Sequence, residues 1–254
     1  MLSKIFCAIL VVGITAFAAP AFSQTQSQPP GEPPPLPGEF APQTYSDPLA
    51  PFNERMFWFN LKLDDYVLHP VAKGYAAVLP RPARESVGNF FDNISFIPRF
   101  ANNLFQLRAV DAMGEVARFG INTTLGVGGL FDVADHWFDL KQHNDDFGLT
   151  LGHYGVPSGA YVVWPFLGPL TLRDTVGYAA DSAMWPLPYF VPWYISIPAG
   201  TGKTVIPVVN YRSLHLDMFE EVDRYAIDLY GAVQDGYMQR RAASLREVNA
   251  KAPF

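Results

Sequence analysis

The sequence predicts a mainly all-α domain, and three observations favour this fold class. Apolar residues recur at three- and four-residue steps in several stretches, which is the spacing of one helix face. Alternating strands separated by hairpin turns do not occur, apart from a short extended piece at 161–163. The chain of 254 residues is 49% hydrophobic, enough to bury one large core. We therefore expect a single domain of amphipathic helices with irregular segments rich in proline and aromatic residues.

The first 23 residues have the organisation of a signal peptide. Lys4 supplies a minimal positive region, the apolar stretch 5–19 is short for a membrane span, and 21–23 fits a small-x-small cleavage site. The alternative is an uncleaved anchor. Cleavage would export the protein and start the mature chain near Gln24.

Cys7 is the single cysteine, and it lies inside the apolar stretch. A bacterial lipoprotein carries leucine three positions before its acylated cysteine and a small residue directly before it, whereas Lys4 and Phe6 stand there. We expect a mature chain without a lipid tail, without disulfides and without thiolate metal sites.

Residues 24–46 form a proline-rich linker, and a disordered spacer is the simplest interpretation. The folded domain is expected at 47–246, followed by a C-terminal tail at 247–254. Helical spacing recurs four times in the domain, with Pro70 kinking or ending the first helix and Asp111 capping the third. The four apolar sets are Met56, Phe59, Leu63, Tyr66 and Val67; Val87, Phe90, Phe91 and Ile94; Val110, Met113, Val116 and Ala117; and Leu214, Met218, Val222, Tyr225, Leu229, Val233 and Tyr237.

The stretch 182–202 carries no fixed charge, yet four prolines forbid a regular helix there. Its aromatic residues Trp185, Tyr189, Trp193 and Tyr194 are of the types that favour a membrane–water interface. Irregular backbone cannot face lipid directly, but it can lie at the interface, line a watery cavity or pack on another protein. The alternative is a proline-rich core loop of a soluble protein.

The net charge of the chain limits the classes of partner that it can bind. The formal net charge is −6 and only 17% of residues are charged, which argues against nucleic acid as a partner. The same charge argues against a purely electrostatic hold on anionic lipid, so any membrane contact should be apolar.

Candidate chemistry is sparse. The glycines at 126, 128 and 129 lack the spacing of a phosphate-binding loop and fit a flexible hinge or a close helix contact. His136 and His143 flank an acidic loop that reads as a solvated polar segment or, alternatively, a weak metal site. The stretch 155–159 is not a nucleophile elbow. Because no catalytic constellation or cofactor motif appears, we expect a protein that is not an enzyme and has no cofactor or metal.

Ordered motifs at 47–57, 70–75, 122–134, 146–152, 155–156, 165–169, 172–174 and 237–241 resemble those of the VacJ/MlaA family. The resemblance runs in order from about 47 to 241. It implies a ring-like helical domain around an amphipathic channel, lying in the inner leaflet of the outer membrane. It further implies association with an outer-membrane porin and transfer of phospholipid to a soluble periplasmic carrier, which removes mislocalised phospholipid and preserves lipid asymmetry.

A phospholipid path needs polar groups beside an apolar surface, and the resemblance motifs supply candidates for both. Candidates for the channel lining are Phe52, Asn53, Phe57, Asn122, Thr123, Thr124, Phe131, Phe147, Arg173 and Asp174, and candidates for a hinge or gate are Gly126, Gly128 and Gly129. For Arg173 and Asp174 the residues by themselves favour a buried, hydrogen-bonded structural pair, and a polar point that lines a lipid path is the functional alternative.

Two departures from the family pattern bear on function. Many members are lipoproteins, whereas this chain lacks a credible acylation cysteine, so its anchor must be its apolar surface or a porin. The stretch 228–230 reads Asp-Leu-Tyr where members often have Asp-Pro-Tyr, which predicts a more continuous C-terminal helix. Two other functions stay open: a non-transporting scaffold bound to a porin, and a phospholipase with Ser158 as its only placed nucleophile.

Overall fold

Helices form most of the described chain, which in this computed structural model comprises residues 45–186, 189, 205–218 and 228–251. These residues belong to one compact unit, Gln43–Phe254. The predicted signal peptide at 1–23, the linker up to residue 44, and both Trp193 and Tyr194 lie outside the described residues. The prediction of a mainly helical domain is confirmed.

The elements follow one another closely along the chain. They are α1 (Ala50–Leu63), a π-helical turn (Asp64–Leu68), α2 (His69–Val78), α3 (Arg81–Ile94), α4 (Phe96–Phe105), α5 (Ala109–Thr124), α6 (Val133–Phe138), α7 (Phe147–His153), β1 (Tyr161–Trp164), β2 (Gly168–Thr171), α8 (Leu172–Met184), α9 (Val205–Leu214) and α10 (Leu229–Lys251).

Pro70 changes the first helix without ending it. The backbone stays helical from α1 through the π turn into α2, where Pro70 occupies the second position. Proline lacks the N–H that an α-helical ladder needs, and a π turn commonly accommodates such a break. The predicted disturbance is therefore present as a change of helix type, and the predicted end of the helix is wrong.

The extended piece at 161–163 is confirmed as part of a hairpin. Strands β1 and β2 pair antiparallel, with Tyr161 opposite Thr171 and Trp164 opposite Gly168. The other edge of β1 is bound by two asparagines of α1. Asn53 accepts from the Val163 N–H and donates to the Tyr161 carbonyl, both at 2.9 Å. Asn60 serves Trp164 and Phe166 in the same way.

The C-terminal helix differs from its prediction at both ends. Helix α9 ends at Leu214 and the chain bends at His215, so the helical period does not continue unbroken from 214 to 237; residues 219–227 lie outside the described part. The Asp228 carboxylate accepts from the Gly231 N–H at 3.0 Å, which caps the start of α10. The expected continuity at 228–230 is therefore wrong, and α10 runs to Lys251, past the predicted boundary at 246.

Several helices bury their polar side and expose their apolar side. In α5 the buried residues include Glu115, Arg118 and Asn122, whereas Val110 and Met113 are 85% and 61% exposed. Asp111 lies inside α5 and pairs with Arg108, so its predicted role as N-cap is wrong. Across the described residues, 20 polar or charged side chains are buried against 12 hydrophobic ones. Such an inversion leaves large apolar patches outside, which is typical of interaction surfaces.

None of the helices in the described ranges is both long and apolar enough to cross a membrane.

Candidate functional site

One candidate site is a cavity of about 810 Å³ beside α1, the hairpin, α9 and α10, which we call the apolar cavity. Its volume suits a molecule of the size of a typical small-molecule ligand. Apolar side chains dominate its lining. They are Phe57, Leu61, Leu63, Leu68, Val163, Phe166, Leu167, Pro169, Tyr211, Met218, Leu229 and Val233, and the polar members are Asn60, Asp64, Arg212 and Arg240.

An ion pair stands in the wall of the apolar cavity. The Arg212 guanidinium donates from Nε and Nη2 to the two carboxylate oxygens of Asp64, at 3.0 and 2.9 Å. Its side chain is 6% exposed and that of Asp64 is 21% exposed. Fork-to-fork geometry of this kind gives a strong and directional pair. The cavity therefore combines an apolar lining with one fixed dipolar point.

A second cavity, the polar cavity, has a volume of about 410 Å³ and is rich in carboxylates. Its lining consists of Asp92, Ser95, Pro98, Arg99, Gln142, Asn144, Asp145, Asp146, Asp181, Ser182, Trp185 and Arg240. Arg240 lines both cavities. This exposed residue of α10 therefore borders both an apolar and a polar space.

Two buried arginines at the polar cavity are paired with carboxylates, one of which lines the cavity. Arg99 donates to Glu115 at 2.7 Å, and Arg108 approaches Asp145 at 3.1 Å. Burial raises the pKa of Asp145, and Arg108 offsets only part of the effect. Burial would also raise the pKa of Glu115, but bonds from His143 and Arg99 bring it below its ordinary value. Much of the charge at this wall is therefore paired.

Arg173 and Asp174 lie in a buried network, which agrees with the structural pair that the residues by themselves favour. The Asp174 carboxylate accepts from Arg241 at 2.5 Å, from the Tyr237 hydroxyl at 2.6 Å and from Arg173 at 3.3 Å. Arg241 also binds Asp146 at 2.6 Å. Burial raises the pKa of Asp174, yet the bonds from Arg241 and Tyr237 hold it below its ordinary value. The network joins α7, α8 and α10.

Among the predicted lining residues, Phe57 alone reaches the apolar cavity as the described chain defines it. Phe52, also on α1, is 42% exposed, and its neighbour Asn53 is buried and hydrogen-bonded to β1. Phe131 is 56% exposed, and Phe147 packs edge-on against Phe105. A lining role for these residues stays a prediction.

Asn122 organises the glycine loop after α5. Its amide donates to Asp132 at 2.9 Å and accepts from the Ala134 N–H at 2.8 Å. Thr123 accepts from Asn93, and the exposed Thr124 binds the carbonyl of Gly120 in its own helix. The Asn122 contacts hold the end of α5 to the start of α6, and the Thr123 contact joins α5 to α3.

The three glycines lie in a tight turn. A Cβ on Gly126 would meet the Phe131 carbonyl oxygen at 2.3 Å, and one on Gly129 would meet the Asn93 side chain at 2.5 Å. Gly128 and Gly129 have φ of 72° and 90°, values that favour glycine. The close contact is present, and a hinge or gate at these positions stays a prediction.

The two described interface candidates differ in exposure. Trp185 is 4% exposed and lines the polar cavity, whereas Tyr189 is 71% exposed and bonds to the Ala183 carbonyl. A membrane-interface role for these residues stays a prediction. In the residues described, no group of three or more His, Cys, Asp or Glu could hold a metal ion.

Sequence reasoning missed Asn60, Asp64, Arg212 and Arg240. The seven-residue spacing of Asn53 and Asn60 was an available signal, because residues two turns apart share a helix face. Arg240 lies within the motif 237–241, but adjacent arginines do not reveal which one is buried. Asp64 and Arg212 are 148 residues apart, so no local pattern links them.

Comparison with known proteins agrees with the motifs. Residues 45–244 match the profile of the family described as MlaA lipoprotein. The chain is 38% identical over 201 residues to the intermembrane phospholipid transport system lipoprotein MlaA of Shigella flexneri, covering 78% of each chain, and 37% identical over the same length and coverage to that of Escherichia coli strain K12.

A solved structure from work on the maintenance of bacterial outer-membrane lipid asymmetry superposes with a TM-score of 0.68 at 36% identity. It covers 79% of this chain and 100% of its own. With matched length, identity and fold in agreement, the chain belongs to the MlaA family.

Proposed function

We propose that this protein is the outer-membrane component of a phospholipid-transport system. In this role it takes mislocalised phospholipid from the outer leaflet and passes it to a soluble periplasmic carrier, which maintains lipid asymmetry. Relatives at 37–38% identity are named for intermembrane phospholipid transport, and a neighbour in structure concerns outer-membrane lipid asymmetry.

The apolar cavity is the observation that carries the proposal. Its lining offers an apolar surface to acyl chains, and the Asp64–Arg212 pair and Arg240 offer polar contacts at its wall. A phospholipid likewise combines apolar acyl chains with a polar head group. We infer that this cavity is part of the amphipathic channel, and that the helices around it form the ring.

The exposed apolar helix faces support a position in the inner leaflet of the outer membrane. Val78, Val110 and Met113 are 81%, 85% and 61% exposed, and burying such side chains in lipid or against a porin is favourable by roughly 25 cal/mol per Å² of apolar area. Lipid and porin together would hold the protein without acylation at Cys7.

Transport requires no bond to be broken, so the proposal assigns no catalytic role to Ser158. Its main-chain carbonyl accepts from the Arg173 N–H at 3.1 Å. We expect a Ser158→Ala variant to keep full function.

Bound lipid provides the test. Mature protein is extracted in mild detergent, and its phospholipid is quantified by mass spectrometry for wild type, Val233→Trp and Ala232→Trp. Val233 lines the apolar cavity, whereas its exposed neighbour Ala232 does not. Thermal unfolding of each variant controls for loss of fold.

We expect stoichiometric phospholipid on the wild type and on Ala232→Trp, and a loss of at least several-fold on Val233→Trp at unchanged unfolding temperature. Wild-type protein that is free of lipid yet copurifies with a porin would contradict transport and favour the scaffold.

A further inference from the structure

We propose that the polar cavity binds the head group of a zwitterionic phospholipid, with the phosphate at Arg240 and the ammonium at Asp92. The acyl chains of the same molecule then lie in the apolar cavity. This inference rests on the proposed transport function and adds a head-group class to it, with phosphatidylethanolamine as the simplest member.

Arg240 lies where a residue that binds phosphate is needed, and its guanidinium is not engaged by other side chains of the described ranges. It is exposed on α10, lines both cavities, and makes no ion pair or hydrogen bond with the part of the chain that is described. The phosphate of a phospholipid likewise separates the acyl chains from the rest of the head group. A guanidinium binds phosphate oxygens strongly because the contact is charge-assisted.

Trp185 forms part of the wall of the polar cavity. Its side chain lines this cavity and is 4% exposed. Its Nε1 atom has almost no accessible surface, so a phosphate oxygen inside the cavity does not contact it. The indole ring therefore gives the head group an apolar neighbour beside the charged side chains.

The carboxylates decide which head group fits. Asp145 pairs with Arg108 and Asp146 with Arg241. The buried Asp181 accepts from the Asn102 amide and from the Phe147 N–H, so these three carboxylates already have partners. Asp92 is an exposed residue of α3 that has no ion-pair partner within 4.0 Å across the described ranges, and its carboxylate makes no hydrogen bond there, so an ammonium group can approach it. Desolvation raises the pKa of Asp92, and a neighbouring ammonium would favour the ionised form of the carboxyl. Arg240 and Asp92 therefore form a cationic and an anionic end, which complement a zwitterionic head group and not a purely anionic one.

The test uses detergent-solubilised mature protein incubated with vesicles of equal phosphatidylethanolamine and phosphatidylglycerol, followed by reisolation and mass spectrometry of the bound lipid. The variants are Arg240→Gln and Asp92→Asn. Their matched controls are Arg246→Gln and Asp65→Asn, which change the same residue types on exposed positions outside both cavities.

We expect wild type and both controls to enrich phosphatidylethanolamine at least threefold. Asp92→Asn should bring the ratio close to one while total lipid stays the same, and Arg240→Gln should lower both lipids at least fivefold. Wild-type protein that binds both lipids equally would overturn the head-group proposal and leave transport standing. Wild-type protein that binds neither lipid would contradict the transport function itself.

Discussion

Asn53 and Asn60 lie two turns apart on α1, and their side-chain amides bind the free edge of β1 in place of a third strand. Each amide both donates to a carbonyl and accepts from an N–H of the hairpin, at 2.8–2.9 Å. This edge would otherwise expose unpaired backbone groups. The hairpin, which contributes Val163 to the apolar cavity, is therefore positioned by α1.

This relationship predicts a stability defect for Asn53→Ala. The variant leaves the buried Val163 N–H and Tyr161 carbonyl without partners, which should cost about 2–6 kcal/mol at roughly 1–3 kcal/mol for each group. Denaturant unfolding measures the loss. Asn60→Ala is the matched control, because Asn60 is less buried and its loss should be smaller. Equal stability of wild type and Asn53→Ala would contradict the structural role.

Arg212→Met should destabilise the fold by about 3 kcal/mol, because removing one partner of a buried pair leaves the other charge uncompensated. The double variant Asp64→Leu/Arg212→Met should recover most of this stability, since it leaves no unpaired charge. Chemical unfolding of both variants checks the prediction. A double variant that is no more stable than Arg212→Met would contradict the prediction.

Acid should destabilise the network around Asp174. Its folded-state pKa lies below the ordinary value of 3.8, so its contribution to stability is complete above that value and is lost as pH falls through the lower folded-state pKa. Arg241→Gln should remove much of this dependence as well as lowering stability at neutral pH. Unfolding free energies between pH 6 and the acid limit of folding, roughly pH 3, measure it. If the unfolding free energies of wild type and Arg241→Gln fell equally with pH in acid, the role given to Asp174 would be contradicted.

Gly177→Ala should separate α7 from α8. A Cβ there would meet the Gly148 nitrogen at 2.3 Å and its Cα at 2.6 Å, and such overpacking costs about 1–3 kcal/mol. Gly114→Ala in α5 is the control, because a Cβ there meets nothing within 4 Å. It should stabilise by about 0.5–1 kcal/mol through helix propensity. Thermal unfolding distinguishes the two, and a neutral Gly177→Ala would show that the helices can move apart.

The helical class and the short extended piece could be predicted from the sequence, because both depend on local periodicity. The direction in which the helices face could not. A period of 3.6 marks an apolar face but does not say whether core or lipid covers it, and α5 buries Glu115 and Arg118 while exposing Val110.

The candidate site was predicted only in part. Phe57 reaches the apolar cavity, but the Asp64–Arg212 pair depends on elements far apart in the chain. Asn53 and Asn122 were predicted as polar lining because of their residue type, and the structure shows that hairpin and loop contacts use their amides. A polar residue in a family motif can stabilise the fold as readily as it can contact a ligand.

The central claim is that phospholipid occupies the apolar cavity, and photo-cross-linking from inside it is the most direct measurement. A benzophenone side chain is introduced at Leu61, which lines the cavity, or at the exposed Arg246 of α10, which does not. After irradiation in native membranes, mass spectrometry should detect a phospholipid adduct at position 61 that Val233→Trp suppresses and Ala232→Trp leaves unchanged, with little adduct at position 246. Absence of a phospholipid adduct at position 61 would contradict the claim. An adduct yield at position 61 that is the same with and without Val233→Trp would contradict it as well.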